Sequence, residues 1–234
     1  MMDKKDLLER YQRTGDEALY LEALPLYERA AANGADPSEL LDYGYLLECH
    51  ARYQLRKAVD QYERAIQLDP NDDKAHYQLI SGRAGLREAE LPIARYKSRL
   101  AAAPDDVRQY RFLATAYVAD HDYDSAAGVV DRGLALAAED RVLIDLRGQV
   151  RAGKGDAEGA LSDWRRALEL DAEDIGPLYS SAFLLERVGR LQEAIESWRA
   201  IIEWCEARGF ELDTDWPQRE IDRLSAAFGS RATT

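Results

Sequence analysis

Every thirty-four residues this chain returns a bulky side chain to the same slot. Tyr62, Tyr96, Val130, Trp164 and Trp198 are each 34 positions from the next. A second ladder runs four residues ahead, through Ala58, Pro92, Ala126, Ala160 and Ala194. A third holds Ile80, Ala114, Gly148 and Ala182. A fixed period of this length is the signature of stacked supersecondary units, each too small to bury its own apolar face.

Between the ladders the apolar spacing is helical. Ala126, Val129, Val130, Gly133, Leu134 and Ala137 recur at three- and four-residue steps. Ala160, Leu161, Trp164, Ala167 and Leu168 do the same, as do Ala194, Ile195, Trp198, Ile201 and Ile202. No stretch alternates for long enough to predict a sheet. The breaks are periodic too. Asp69-Pro70-Asn71-Asp72 and Ala103-Pro104-Asp105-Asp106 end one helix and cap the next. Ala138-Glu139-Asp140 and Ala172-Glu173-Asp174 keep the acidic caps without the proline. Within the units, Gly153-Lys154-Gly155-Asp156 and Val188-Gly189-Arg190 predict tight turns, and His121-Asp122 takes that slot in a third. The small ladders suit the places where helices approach closely, and the bulky ladder fills the space between hairpins.

These residues resemble the tetratricopeptide repeat family, whose unit is a 34-residue helix–turn–helix. In the unit from Val107 the resemblance rests on Leu113-Ala114, Tyr117, Tyr123, Ala126 and Leu134. From Arg141 it rests on Gly148, Gly155-Asp156, Ala160, Trp164 and Ala167. From Ile175 it rests on Ala182, Leu185, Gly189, Ala194 and Trp198. The unit before Asn71 ends Ala58, Tyr62, Ala65, Asp69-Pro70; its front half fits only if Tyr43-Gly44 stands for the family's Leu-Gly, with a longer turn behind it. Residues 1–36 read as a divergent hairpin built on Leu7, Leu8, Tyr11, Gly15-Asp16, Ala23, Tyr27 and Ala30. Pro25 and Pro92 fall where second helices should run, so those helices are expected to begin late or to kink.

The resemblance therefore implies an all-α, right-handed α-solenoid of about six hairpins with a capping helix. The divergent hairpin spans 1–36, and five repeats fill 37–206, at roughly 37–72, 73–106, 107–140, 141–174 and 175–208. Residues 209–234 supply a linker, the cap and a tail. Asp215-Trp216-Pro217-Gln218 reads as the cap's start, with Ile221, Leu224 and Ala227 or Phe228 inward.

Composition narrows the partners. The formal net charge of −13 opposes a phosphate backbone or an anionic membrane surface. The N-terminus lacks a signal-peptide core, and no apolar run approaches the roughly 20 residues that span a bilayer, so a cytoplasmic location is expected. Cys49 and Cys205 lie far apart and read as small hydrophobes. His50, His76 and His121 have no second ligand at metal spacing, and no cofactor is implied. No catalytic motif occurs, and Gly153-Lys154-Gly155 lacks the length of a phosphate loop.

Function is then expected on the first helices, which in this family line the concave groove. The outward slots hold Asp42 and Tyr45; Lys74, Tyr77, Gln78 and Ser81; Arg108, Arg111, Phe112 and Thr115; Asp145 and Gln149; Tyr179 and Phe183. Tyrosine and arginine are the types that anchor interfaces. A groove binding one protein or peptide segment is expected, anchored by Tyr77, Arg108, Arg111, Tyr179 and Phe183, with Arg108 and Arg111 meeting an acidic group. The chaperone-binding clamp of this family is not matched, since only Arg108 fits its pattern. The rival reading is self-assembly as a homodimer through the C-terminal end, on Trp204, Phe210 and Trp216. A third, an enzyme using Asp145, Arg111 and Tyr179, has no motif behind it.

Overall fold

Aspartate sets the helix starts. Asp3, Asp16, Asp36, Asp72, Asp106, Asp122, Asp140 and Asp156 each accept a backbone N–H at a helix N-terminus. An anion there satisfies an orphan donor and faces the positive end of the helix dipole. Eight of the chain's 44 acidic residues therefore serve as helix caps.

The computed structural model describes residues 3–34, 36–209 and 215–231. It is 83% helical, with no strand among the described residues, as the absence of alternation required. In chain order the helices are α1 Lys4–Thr14, α2 Glu17–Ala32, α3 Pro37–Leu68, α4 Asp73–Gly85, α5 Glu90–Ala102, α6 Val107–Ala119, α7 Tyr123–Leu136, α8 Arg141–Gly153, α9 Ala157–Leu170, α10 Gly176–Arg187, α11 Leu191–Ala207 and α12 Asp215–Arg231. They form two compact units, residues 1–88 and 89–234.

In the first unit, α1 and α2 make the divergent hairpin. Leu7, Leu8, Tyr11, Leu19, Tyr20, Ala23, Tyr27 and Leu46 form its core. Tyr11, almost fully buried, places its hydroxyl 3.0 Å from His50 Nδ1, and Tyr20 stacks on the same imidazole at 3.7 Å. Burial pushes the Tyr11 phenol up to about 12. The next element departs from the expected hairpin. Residues 37–68 are one unbroken helix of 32 residues, with no turn after Tyr43-Gly44. The physical reason is local. Between Tyr45 and Ala58 the sequence holds no Gly, Pro, Asn or Asp, and most residues favour helix. The start is strongly fixed, by Pro37 in the first turn and a reciprocal cap between Asp36 and Glu39. The C-terminal half of α3 packs against α4 through Val59, Ile66, Ala75, Leu79 and Leu86.

The second unit follows the repeat closely: α6–α7, α8–α9 and α10–α11 are hairpins. The ladders lie inside. Tyr96, Val130, Trp164 and Trp198 are at most 2% exposed, as are Ala114, Ala126, Ala160, Ala182 and Ala194. Tyr62, in the first unit, is only half-buried. Gly148 shows why one slot stays small: a Cβ there would lie 2.6 Å from the Trp164 indole nitrogen.

Pro25 does not delay its helix, whereas α5 begins two residues before Pro92 where α7, α9 and α11 begin three before the matching alanine. Helix α2 starts at Glu17 and continues through Pro25. Helix α5 starts at Glu90, so Pro92 sits in the first turn, where a missing N–H costs no intrahelical bond. At the C-terminus α12 begins at Asp215 as read from the sequence. Ile221 and Leu224 are buried against α11, whereas Ala227 is exposed. Phe210 and the side chain of Phe228 lie outside the described residues.

Candidate functional site

The second unit presents a face built by α6, α8 and α10. At the C-terminal ends of these helices lies a cavity of about 430 Å³. Val118 and His121 line it from α6 and the turn beyond. Gln149, Ala152 and Gly153 come from α8, and Ser180, Phe183, Leu184 and Arg187 from α10. Trp164 and Tyr123 form its floor from the second helices. Gly153 is needed here, because a Cβ would lie about 2.5 Å from the Tyr123 ring. His121 has φ +60°, where the matching turns carry Gly155 and Gly189. A non-glycine residue in this region costs of order 1 kcal/mol. Its Nδ1 lies 3.1 Å from the Tyr123 hydroxyl.

Phe183 is 50% exposed and stands between this cavity and another of about 420 Å³, lined with Glu186, Arg187, Glu220 and Arg223. Arg223 is neutralised there by Glu186 and Glu220, both at 2.6 Å. The exposed Arg187 lines both cavities, and its Nη2 donates to the Ala152 carbonyl at 2.7 Å. Trp216, at the start of α12, stacks on Tyr179 at 5.9 Å and packs beside Phe183 at 6.0 Å. Trp198 lies edge-on beneath all three.

The slots read from the sequence divide into three kinds. Gln149 and Phe183 line the cavity. Tyr179 is half-buried under Trp216, and burial pushes its phenol up. Asp145 receives the Gln149 amide at 2.8 Å on one oxygen, while the other is buried without a protein hydrogen bond. Burial raises its carboxyl to about 6, with Asp174 adding to the rise. The Trp164 N–H is close enough to favour the anion but makes no hydrogen bond of ordinary geometry.

The remaining slots of this unit belong to packing. Phe112 is fully buried, with its ring 5.2 Å from Tyr96, and presents nothing to a partner. Arg111 forks onto Asp140, the cap of α8, with Nε 2.9 and 3.1 Å from its two oxygens. Its charge is spent inside the fold. Arg108 lies 6.0 Å over the Phe112 ring, and the Thr115 hydroxyl donates to the Arg111 carbonyl. In the first unit, Lys74, Gln78 and Ser81 are exposed, Tyr77 is half-buried, Tyr45 is half-exposed and Asp42 faces Lys5 at 4.0 Å.

Sequence reasoning missed His121, Tyr123, Ser180 and Arg187. The signal was the replacement of the usual turn glycine by histidine. The proposed C-terminal patch also changes. The Trp204 N–H donates to the Ala172 carbonyl at 2.8 Å and its ring is covered by Arg208 at 4.3 Å, while Trp216 is engaged as above.

No helix among the described residues is long and apolar enough to cross a membrane. No protein-family model matches the sequence, and none of the curated proteins does. Solved structures do. A thermophilic tetratricopeptide repeat protein of Thermus thermophilus, TTC0263, superposes with a TM-score of 0.57 at 22% identity, over 88% of this chain and 98% of that one. A tetratricopeptide repeat protein from Parabacteroides merdae ATCC 43184 superposes at 0.50 and 12% identity, over 95% and 98%. The helical period, the buried ladders and these likenesses agree: the chain has the all-α solenoid fold of tetratricopeptide repeat proteins.

Proposed function

We propose that the chain is a protein-interaction module, an adaptor that holds a segment of another protein against the α6–α8–α10 face of its second unit. The observation that carries this reading is Phe183. A half-exposed aromatic ring between two cavities, backed by Tyr179, Trp198 and Trp216, is a pre-built anchor for an apolar side chain. Helix-borne groups lose little entropy when a ligand docks.

Charge refines the ligand. Arg111 is engaged internally, so Arg187 supplies the guanidinium at this face. Its hydrogen bond to the Ala152 carbonyl uses one donor on a neutral acceptor, which leaves donors for an acidic side chain. The segment would carry an apolar residue over Phe183 and a single acid nearby. A polyanion would be repelled by the net charge of −13.

A displayed peptide library selected against the protein tests this. Enriched peptides should pair an aromatic or large aliphatic residue with one acid. Phe183→Ala and Arg187→Ala should each weaken their binding at least about tenfold, roughly 1.4 kcal/mol. Enriched peptides that bind both variants as well as the parent would refute the site, and selection of basic peptides would refute the role of Arg187.

A further inference from the structure

Behind the wall of the second unit's cavity sits a carboxylate that the fold leaves half-satisfied. Asp145 lies on α8, one turn before the cavity-lining Gln149. Its Oδ2 accepts from the Gln149 amide at 2.8 Å, while Oδ1 is closed off from solvent without a protein hydrogen bond. The Trp164 indole also lines the cavity, and Gly148 lets it lie against α8. Its N–H is buried and makes no protein hydrogen bond either. One carboxylate thus stands behind two residues of the cavity wall.

That position gives Asp145 control over what the cavity offers. An ionised carboxylate only accepts hydrogen bonds. It draws the N–H end of the Gln149 amide inward and leaves the amide oxygen for the cavity. A protonated carboxyl can donate instead. The same amide, turned over, then accepts that proton on its oxygen and offers its N–H groups to the cavity. We propose that Asp145 is a positioning residue whose proton decides which end of Gln149 faces the cavity, and so whether the site favours a donor or an acceptor on the ligand. The inference rests on the peptide-binding reading of this face, and adds that an acidic ligand is held more tightly by the protonated form. Loss of the buried negative charge acts in the same direction.

The surroundings suit such a switch. Burial pushes the Asp145 carboxyl up to about 6, against the Gln149 hydrogen bond and Arg141, with Asp174 adding to the rise. Arg141 is itself paired with Asp171 and Asp174. On α6, Arg111 is forked onto Asp140. On α7, Asp124 pairs with Lys154, Asp131 acts on Arg147 and Arg132 lies over the Tyr110 ring. On α9, Asp163 holds Arg147 and Arg151. On α10, Tyr179 is stacked under Trp216, Glu186 pairs with Arg223, and Arg187 lines the cavity with His121.

NMR of the protein alone reads the switch. The Gln149 side-chain N–H signals and the Trp164 indole N–H signal should shift together with a midpoint near 6, and stay fixed in Asp145→Asn. Peptide titrations read the consequence. The probe is an acidic peptide enriched by display, whose own carboxyl stays largely ionised at about pH 5. An ordinary histidine also titrates in this range, so the titrations use the His121→Asn background. Affinity should rise at least about fivefold between about pH 7.5 and about pH 5. Asp145→Asn should bind at both values as its parent does at the lower one. Gln149→Leu should lose the pH dependence of binding while the Trp164 signal still titrates. Signals that stay still across this range, or that move as much in Asp145→Asn, overturn the proposal. So does equal affinity at both pH values, and so does a pH dependence that survives Gln149→Leu. Peptides indifferent to Phe183→Ala would sink the binding face instead, and the two signals would still judge the switch.

Discussion

Trp198 is the residue on which the second unit's C-terminal hairpin and the proposed binding face both rest. It is fully buried, among Ala182, Leu185, Ala194, Ile195, Ile201, Cys205, Ile221 and Leu224. Its ring meets Tyr179, Phe183 and Trp216 at 5.8, 5.2 and 5.1 Å, each near perpendicular. Trp198→Ala loses the buried ring and leaves a cavity, a change worth about 3–5 kcal/mol. The three edge contacts, each worth about 0.5–1.5 kcal/mol beyond area, place it at the top of that range. Trp198→Phe should cost much less than its lost volume suggests. The indole N–H is buried without a protein partner, so phenylalanine removes an unsatisfied donor along with the second ring. An array need not unfold in one step, so the loss is best read helix by helix, by hydrogen exchange in mild urea. Protection should fall in α10, α11 and α12 and hold in α1 and α2. An alanine variant that loses under about 1 kcal/mol in α11, against the 3–5 expected for a packed core, would refute the packing. A phenylalanine variant as damaged as alanine would refute the argument from the unpaired N–H.

Two further outcomes follow from charge. Burial holds the Asp145 carboxyl at about 6 against its ordinary 3.8, so the folded chain binds the proton more tightly than the unfolded one. Its ionised form costs the fold roughly 3 kcal/mol above pH 6, and that cost is relieved as pH falls from 6 towards 3.8. Asp145→Asn should therefore stabilise at pH 8 and make little difference at pH 4 in paired urea titrations; an equal effect at both would sink the argument. Arg111→Ala should destabilise by about 3 kcal/mol, because Asp140 stays buried without its guanidinium, and Arg111→Lys should recover less than half. A loss under about 1 kcal/mol, as for a surface pair, would show that Arg111 is free for a ligand after all.

The period of 34 gives the rows of the first helices but not the use of each row. Phe112 and Leu146 share a row and are buried, while Ser180, their successor, is half-buried at the cavity. Arg111, Asp145 and Tyr179 share another. They pair with Asp140, with Gln149 and with Trp216 respectively, so this row serves contacts inside the chain. Thr115, Gln149 and Phe183 share the row that reaches the cavity, and only the last is widely exposed. Sequence could place all these residues at the right depth in a helix. It could not tell which carboxylate or ring from another element would arrive first. Asp140 could be read as a cap, yet a cap oxygen also binds an arginine when one lies a helix away.

The front of α3 shows the opposite failure, and it is instructive. There the repeat pattern argued for a turn and the local chemistry argued against one. From Tyr45 to Ala58 there is no glycine for a left-handed corner and no aspartate to start a second helix, whereas the turn at Gly155-Asp156 has both. Propagating a helix adds a hydrogen bond for each residue fixed, while a new start bears the whole cost of nucleation. A repeat register alone does not offset that cost, so the helix continues. The apolar residues placed for a hairpin then remain on a straight helix with nothing folded over them. Leu40, Leu41, Tyr45 and Leu47 are exposed for that reason, on more than one face of the straight helix.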